Sequence, residues 1–304
     1  MIPGGQRGFR LFRFAGIDVF LHWSWFVVAA YELQERSGQY GSFVWNAAEY
    51  LALFLIVTLH EFGHSLACRQ VGGVADHIVL WPLGGVAYVR PPQRPGATLW
   101  SIAAGPLVNV VLIPVLIGLG LLSRVLGLAA AVPDASRLLH AVAVINLGLL
   151  VFNSLPVYPL DGGQIFRSLL WFLLGRAHSL TVATVVGFLG VLGLGGLAVL
   201  AGSPWIGILA AFVGLNCWRG FQEARALSSV AKLPRHLGFA CPACGASPPI
   251  GALWTCTKCQ KPFDTFEAHA ACPYCGALFA ATACVDCGRP HPIGEWAASA
   301  PPPQ

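Results

Sequence analysis

Residues 49–64, EYLALFLIVTLHEFGH, place two histidines and a glutamate at the end of an apolar run. Ionisable and metal-ligating groups are costly in such a setting, and their presence there points to function. The spacing narrows that function. On a helix, residues i and i+4 share a face, so His60 and His64 can reach one metal ion together. Glu61 lies beside them but is rotated away. That is a poor position for a ligand and a suitable one for a general base acting on water. A divalent cation would give both histidines the partner that an apolar helix denies them.

The rest of the chain shares this character. Its 304 residues are 56% hydrophobic and 10% charged, with a mean hydropathy of +0.67. Soluble domains carry about 25% charge, and a soluble chain of this length has no core able to hide so much apolar surface. Residues 17–35, 47–70, 97–123, 138–156, 180–201 and 204–222 read as apolar spans near membrane-crossing length. The predicted fold class is therefore an all-α polytopic membrane protein with about six transmembrane helices. The opening MIPGGQRGFRLFRFAG lacks the apolar core and cleavage site of a secretory signal, so anchoring is expected from the spans themselves.

The net charge of +5 is modest, and the arginines gather at the ends of the apolar runs as membrane anchors. With six spans and a cytoplasmic N-terminus, twelve Lys and Arg residues fall on the cytoplasmic side. Only Arg36, Arg124 and Arg137 fall outside. That bias predicts both termini in the cytoplasm, and the Ala-, Gly- and Arg-rich composition suggests a bacterial inner membrane.

Between the second and third spans, Val74 to Val89 reads VADHIVLWPLGGVAYV. β-Branched and aromatic residues around Pro-Leu-Gly-Gly predict a membrane-associated hairpin turning near Pro82 to Gly85. Open strand edges cannot face lipid, so the hairpin is expected at the surface or packed within the protein.

A hydrolytic zinc needs a third protein ligand and an open position. The best candidate is Asp161, in FNSLPVYPLDGGQIFR from Phe152 to Arg167. On its own, Asp-Gly-Gly marks a turn or a helix start, with Asp161 as a cap. Its place at the end of the fourth span, on the side where the second span carries His60 and His64, favours the ligand role.

These stretches together resemble the site-2 protease family of intramembrane zinc metalloproteases. The matching segments are HEFGHSLACR, WPLGG, GPLVN (Gly105 to Asn109), FNSLPVYPLDGGQIFR and GIDVFLHWSW (Gly16 to Trp25), in the family's order over about residues 9–220. The resemblance implies His60, His64 and Asp161 as zinc ligands and Glu61 as catalytic base. It also implies Asn109 and Asn153 as groups that position substrate or stabilise the oxyanion, although either amide would also serve to bond neighbouring helices. Asn146 is expected in that helix-bonding role. His22 either lines the site or packs a helix, and Cys68 and Cys217 are expected as small packing residues. The implied substrates are transmembrane segments of membrane proteins. The arrangement is similar to the six-span branch with a cytoplasmic C-terminal domain. That domain is often a nucleotide-sensing CBS pair; here it is cysteine-rich, so regulation by adenine nucleotides is not implied.

The cysteines define that domain. Eight of the ten lie in CPAC (Cys241, Cys244), CTKC (Cys256, Cys259), CPYC (Cys272, Cys275) and CVDC (Cys284, Cys287). Paired CxxC knuckles at this spacing predict tandem zinc ribbons with two structural zinc ions. Disulfides are disfavoured in the cytoplasm. Sequential pairing is the simplest, with the first four cysteines on one ion and the last four on the other; interleaved pairing is the alternative. Gly245, Gly276 and Gly288 suit the tight turn after a knuckle. The expected organisation is a membrane protease domain over 1–222, a linker over 223–239, the ribbons over 240–292 and a disordered tail over 293–304. Few basic residues lie among the knuckles, which argues against nucleic acid and for a protein partner. The competing functions are a catalytically silent membrane scaffold, which leaves Glu61 without a purpose, and a metal transporter, which needs further polar ligands along a path through the spans, of which there are few.

Overall fold

The computed structural model describes residues 8–35, 38–81 and 84–298. The chain opens with strands β1 (Gly8–Phe14) and β2 (Ile17–His22), then helices α1 (Ser24–Glu35) and α2 (Phe43–Gln70). Strands β3 (Val74–Trp81) and β4 (Gly84–Arg90) follow, then α3 (Pro95–Val125), a short α4 (Leu128–Ala131), α5 (Pro133–Ser154), α6 (Asp161–Leu200) and α7 (Pro204–Ala231). The cysteine-rich region holds β5 (Trp254–Thr255), β6 (Pro262–Phe263), β7 (Thr282–Ala283), β8 (Pro290–His291) and α8 (Ile293–Ala298).

Four of the expected apolar runs lie in helices long and apolar enough to cross a membrane, namely α2, α3, α5 and α6. Their outward surfaces are oily: Leu121, Val151, Leu192 and Val199 are all exposed. A bilayer is the medium that covers such surfaces, and the chain is a multi-pass membrane protein. Within α6, Gly175 adopts φ 75° and ψ 174°, which breaks the helix and separates a first segment carrying Asp161 from a longer one. The run at 204–222 lies in α7, where Arg219, Glu223 and Arg225 lower the apolar content and helix continues to Ala231. The expected linker at 223–239 therefore begins as helix.

The run at 17–35 differs most from expectation. It is a strand followed by a helix of only 12 residues, about 18 Å long and too short for a core of about 30 Å. The reason is visible in IDVFLH. Ile17, Val19 and Leu21 are buried and alternate with partly exposed Asp18, Phe20 and His22. This period of two belongs to a strand with one covered face, which a summed hydropathy does not register. Each fully buried aliphatic side chain contributes about 1.5–3 kcal/mol, so the alternation outweighs the apolar total.

The predicted hairpin forms, as half of a larger sheet ordered β1-β2-β3-β4. Pro82 and Leu83, in its expected turn, lie outside the described residues. Strands β2 and β3 run parallel, with Asp18 opposite His77 and Leu21 opposite Leu80; the outer pairs are antiparallel. Ile17, Val19, Ile78 and Leu80 of the sheet meet Val57 and Phe62 of α2 in one core. Arg69, at the end of α2, donates to the carbonyls of Ala15, Gly16 and Ala75, which fixes the β1–β2 turn and β3 to the helix that bears the histidines. Strands β1 and β4 are the two edges of the sheet.

The cysteine-rich region packs around aromatic side chains. Cys241, Phe266, Cys284 and Trp296 form one core; Cys256, Phe263 and Cys272 form another, with Phe279 packed against it. Trp296 is fully buried on α8, and its carbonyl accepts from Ala240 N–H at 3.0 Å. Residues 293–298 are thus part of the fold, and any tail begins no earlier than residue 299, outside the described residues. Asp286 seats this region on the rest of the chain. Its carboxylate pairs with Arg235 at 2.8 Å, and its carbonyl accepts from Arg176, next to the α6 break, at 3.5 Å.

Candidate metal centre

His60 and His64 face one way from α2, with their Nε2 atoms 3.1 Å apart. Asp161 Oδ2 lies 3.0 Å from the first and 3.4 Å from the second. Asp161 is the first residue of α6 but makes no capping bond; its carboxylate turns to the histidines instead. The glycines after it permit this. A Cβ on Gly162 would lie 2.3 Å from the Ser154 carbonyl oxygen, and one on Gly163 would lie 2.4 Å from Tyr158 N. Only glycine lets the loop after α5 fold back so tightly on the first turn of α6, which carries Asp161 to α2.

The far nitrogens of both rings are fixed. His60 Nδ1 lies 2.6 Å from Asn109 Oδ1, and His64 Nδ1 lies 2.9 Å from the Ser101 carbonyl. Asn109 donates its amide N–H to Asn146 Oδ1 at 2.8 Å, and Asn146 donates back to the Asn109 carbonyl at 3.0 Å. This network leaves Asn109 Oδ1 as the acceptor, so His60 Nδ1 carries the proton; the Ser101 carbonyl demands the same of His64. Both neutral rings then turn bare Nε2 lone pairs on each other and on a carboxylate. Three acceptors converge with no donor between them. A cation resolves that arrangement, and two imidazole nitrogens with one carboxylate suit zinc.

Glu61 stands beside this cluster, and its Oε2 accepts from Ala87 N–H of β4 at 2.9 Å. The strand approaches closely. A Cβ on Gly85 would come within 2.2 Å of Glu61 Cγ. On the other side, a Cβ on Gly105 of α3 would come within 2.3 Å of the His64 ring and 2.8 Å of His60 Nε2. Gly63 likewise lets α2 meet α3, where a Cβ would lie 2.6 Å from the Ala104 carbonyl oxygen. HEFGH, the second Gly of WPLGG and the Gly of GPLVN are therefore parts of one steric fit.

The cluster opens into a cavity of about 980 Å³ between β4, α5, α6 and α7. Asn153 lines it, half-buried and free of hydrogen bonds among the described residues. Asn109 does not line it. Of the two roles open to Asn109, the geometry here is that of the helix-bonding one: its amide is engaged by His60 and Asn146, and it is fully buried. Asn146 bonds neighbouring helices, as expected. His22 stacks on Trp81, with ring centroids 3.9 Å apart, and is not part of the metal cluster. Cys68 and Cys217 are fully buried; Cys217 Sγ donates to the Tyr158 carbonyl at 2.8 Å.

The knuckle cysteines form two quartets, and here the sequential pairing is overturned. Cys241 and Cys244 meet Cys284 and Cys287, while Cys256, Cys259, Cys272 and Cys275 form the other group. One quartet is nested inside the other along the chain. The aromatic cores explain the choice: Phe266 and Trp296 gather the outer knuckles, and Phe263 and Phe279 gather the inner ones. Contacts between sulfurs of different knuckles run from 3.6 to 3.8 Å, close to the roughly 3.8 Å edge of a tetrahedron with metal–sulfur bonds of about 2.3 Å. After each knuckle, Gly245, Gln260, Gly276 or Gly288 takes a positive φ and donates its N–H to the carbonyl of the first cysteine. The N–H groups of Cys259 and Lys258 also donate to Cys256 Sγ and bring that thiol down to about 6, which favours the thiolate that binds metal.

Residues 48–134 and 123–195 match peptidase family M50. The chain is 33% identical over 178 residues to a zinc metalloprotease of Methanocaldococcus jannaschii, covering 59% of this chain and 50% of that one. It is 28% identical over 210 residues to stage IV sporulation protein FB of Bacillus subtilis, covering 62% and 64%. Among solved structures it is similar to the site-2 protease from Methanocaldococcus jannaschii, with a TM-score of 0.52 and 26% identity over 70% of this chain and 95% of that one. The chain spans about half to two thirds of the length of these curated relatives. It belongs to peptidase family M50, the site-2 protease family of zinc metalloproteases.

Proposed function

We propose that the chain is an intramembrane zinc endopeptidase that cuts membrane proteins within or beside their membrane-spanning segments. The observation that carries this reading is the meeting of three bare acceptors, from His60, His64 and Asp161, with Glu61 beside them in a cavity between membrane helices. Zinc held there supplies Lewis acidity, which makes water a nucleophile near neutral pH and polarises a carbonyl. The rest of the mechanism belongs to the chain. Glu61 Oε1, the oxygen that Ala87 leaves free, takes the proton of the attacking water and returns it to the leaving amine. The Asn153 amide is the free donor for the developing oxyanion.

A helical substrate hides its carbonyls, so it must be unwound to be cut. The edge of β4 offers it a strand to pair with. Ala87 points its N–H outward to Glu61, and alternation along the strand turns the N–H of Val89 the same way. Val89→Pro removes that outward donor and spares the ladder to β3. Cleavage should fall while zinc content holds, and undiminished cleavage would count against strand pairing.

The two cysteine quartets, each holding one structural zinc, stabilise a region with little core of its own. We infer a cytoplasmic position for this region from the arginine bias, and a protein partner from its shortage of basic residues. The deciding experiment compares new protein N-termini in membranes of cells expressing the wild type or Glu61→Gln, with zinc measured on both purified proteins. A terminus in or beside a membrane segment, lost in Glu61→Gln at equal zinc, supports the protease. Full zinc at all three sites with no Glu61-dependent terminus supports the scaffold.

A further inference from the structure

Helix α7 turns one stripe to the catalytic cavity, formed by Trp205, Ile208, Phe212, Asn216 and Arg219. These residues recur every three or four positions and so share a face. The stripe changes along its length: three large apolar side chains, then an amide, then a guanidinium. From Trp205 to Arg219 it extends about 21 Å, enough to lie along a substrate segment as it leaves an apolar environment for water.

Among the described residues that line the cavity, Arg219 is the one Lys or Arg. Among the described residues it has no ion pair and no hydrogen bond, and its side chain is exposed. The cavity's own carboxylates are engaged elsewhere, Asp161 with the histidines and Glu61 with Ala87. The guanidinium therefore faces the substrate space with its donors uncommitted.

We propose that Arg219 is a specificity-determining residue that selects substrates carrying an Asp or Glu at the boundary of their membrane segment. The inference rests on the protease reading above. A guanidinium binds a carboxylate through paired, charge-assisted hydrogen bonds. It also repels Lys and Arg, the residues that commonly flank membrane segments. Arg219 thus discriminates against the ordinary basic-flanked segment and for the acidic exception. An anionic lipid headgroup offers the same chemistry, and the test separates the two.

The test uses the full zinc-loaded protein in nanodiscs of neutral phosphatidylcholine. The probes are synthetic transmembrane peptides with one common apolar core, each bearing a single Asp, Asn or Lys at successive boundary positions. At one position, or two adjacent ones, the wild type should show a KM about tenfold lower for the Asp peptide than for its Asn twin, the scale of one charge-assisted bond. The Lys peptide should be cut worst. Arg219→Gln should remove the Asp–Asn difference, and Arg219→Glu should invert the order in favour of Lys. Glu61-dependent cleavage with the same Asp, Asn and Lys ranking in wild type and Arg219→Glu overturns the proposal, as does a uniform effect on every peptide, which marks a headgroup anchor. Absence of any Glu61-dependent cleavage strikes the protease reading itself, and the proposal falls with it.

Discussion

Asn109 Oδ1 lies 2.6 Å from His60 Nδ1, and both side chains are buried. A residue in the middle of α3 thereby decides which nitrogen of a histidine on α2 is free for metal. Asn146 on α5 holds the Asn109 amide in turn, so two further helices act on one ring of α2. Partners of this kind typically contribute 10–100-fold in metal affinity. Asn109→Leu should weaken zinc binding at the catalytic site by roughly that factor, with a smaller loss for Asn146→Leu. Competition against a graded chelator, with the cysteine quartets as internal reference, measures it. Unaltered affinity in Asn109→Leu would show that the contact does not set the tautomer.

Gly85 and Gly105 press on the site from opposite sides and should fail differently. A methyl group on Gly105 meets both imidazoles, so Gly105→Ala should lose catalytic zinc. A methyl group on Gly85 falls first on Glu61, so Gly85→Ala should keep zinc and lose turnover by more than tenfold, as displacement of a general base does. Zinc content and peptide cleavage measured on both variants separate the effects. Equal zinc loss in the two would mean that β4 and α3 do not act on separate groups.

Much of this site was legible in the sequence because its chemistry is carried by residue type and spacing. His60, Glu61 and His64 lie within one turn of one helix, so periodicity alone places them. Asp161 needs more: Asp-Gly-Gly on its own reads as a turn, and its place at the end of the fourth span, on the side of His60 and His64, is what favours the ligand role. For Asn109 the sequence leaves two roles open, because direction across helices is not written in spacing: the same amide can face a cavity or a ring. Ser101 contributes a backbone carbonyl, and no side-chain pattern announces one. The β2 strand was hidden by hydropathy summed over a window, although the alternation of Ile17, Val19 and Leu21 was there to be counted.

Trp296 is the case of an aromatic residue that contradicts its neighbours. It precedes AASAPPPQ, a composition that signals disorder, yet it is wholly buried against Phe266 at a ring-centroid distance of 4.8 Å. Removing a buried Trp costs about 3–5 kcal/mol, a large share of what a small metal-stapled region has. Trp296→Ala in the full chain should expose residues 240–298 to limited proteolysis and loosen the outer quartet before the inner one, because Trp296 packs with Cys241 and Cys284. Protease resistance equal to wild type would show that α8 is dispensable.

The nested cysteine pairing makes an arithmetic prediction. Cys241 and Cys287 belong to one quartet, Cys256 and Cys275 to the other. A chain with Cys241→Ser and Cys287→Ser should therefore lose one zinc ion, as should one with Cys256→Ser and Cys275→Ser. A chain with Cys241→Ser and Cys256→Ser should lose two, although sequential pairing assigns those residues to the same ion. Native mass spectrometry of the full protein counts the ions directly, and the His60–His64–Asp161 site serves as the constant. Loss of one ion from the Cys241→Ser, Cys256→Ser chain would restore the sequential arrangement. It would also remove the explanation offered here, that Phe266 and Trp296 draw the first and last knuckles together while Phe263 and Phe279 hold the middle two.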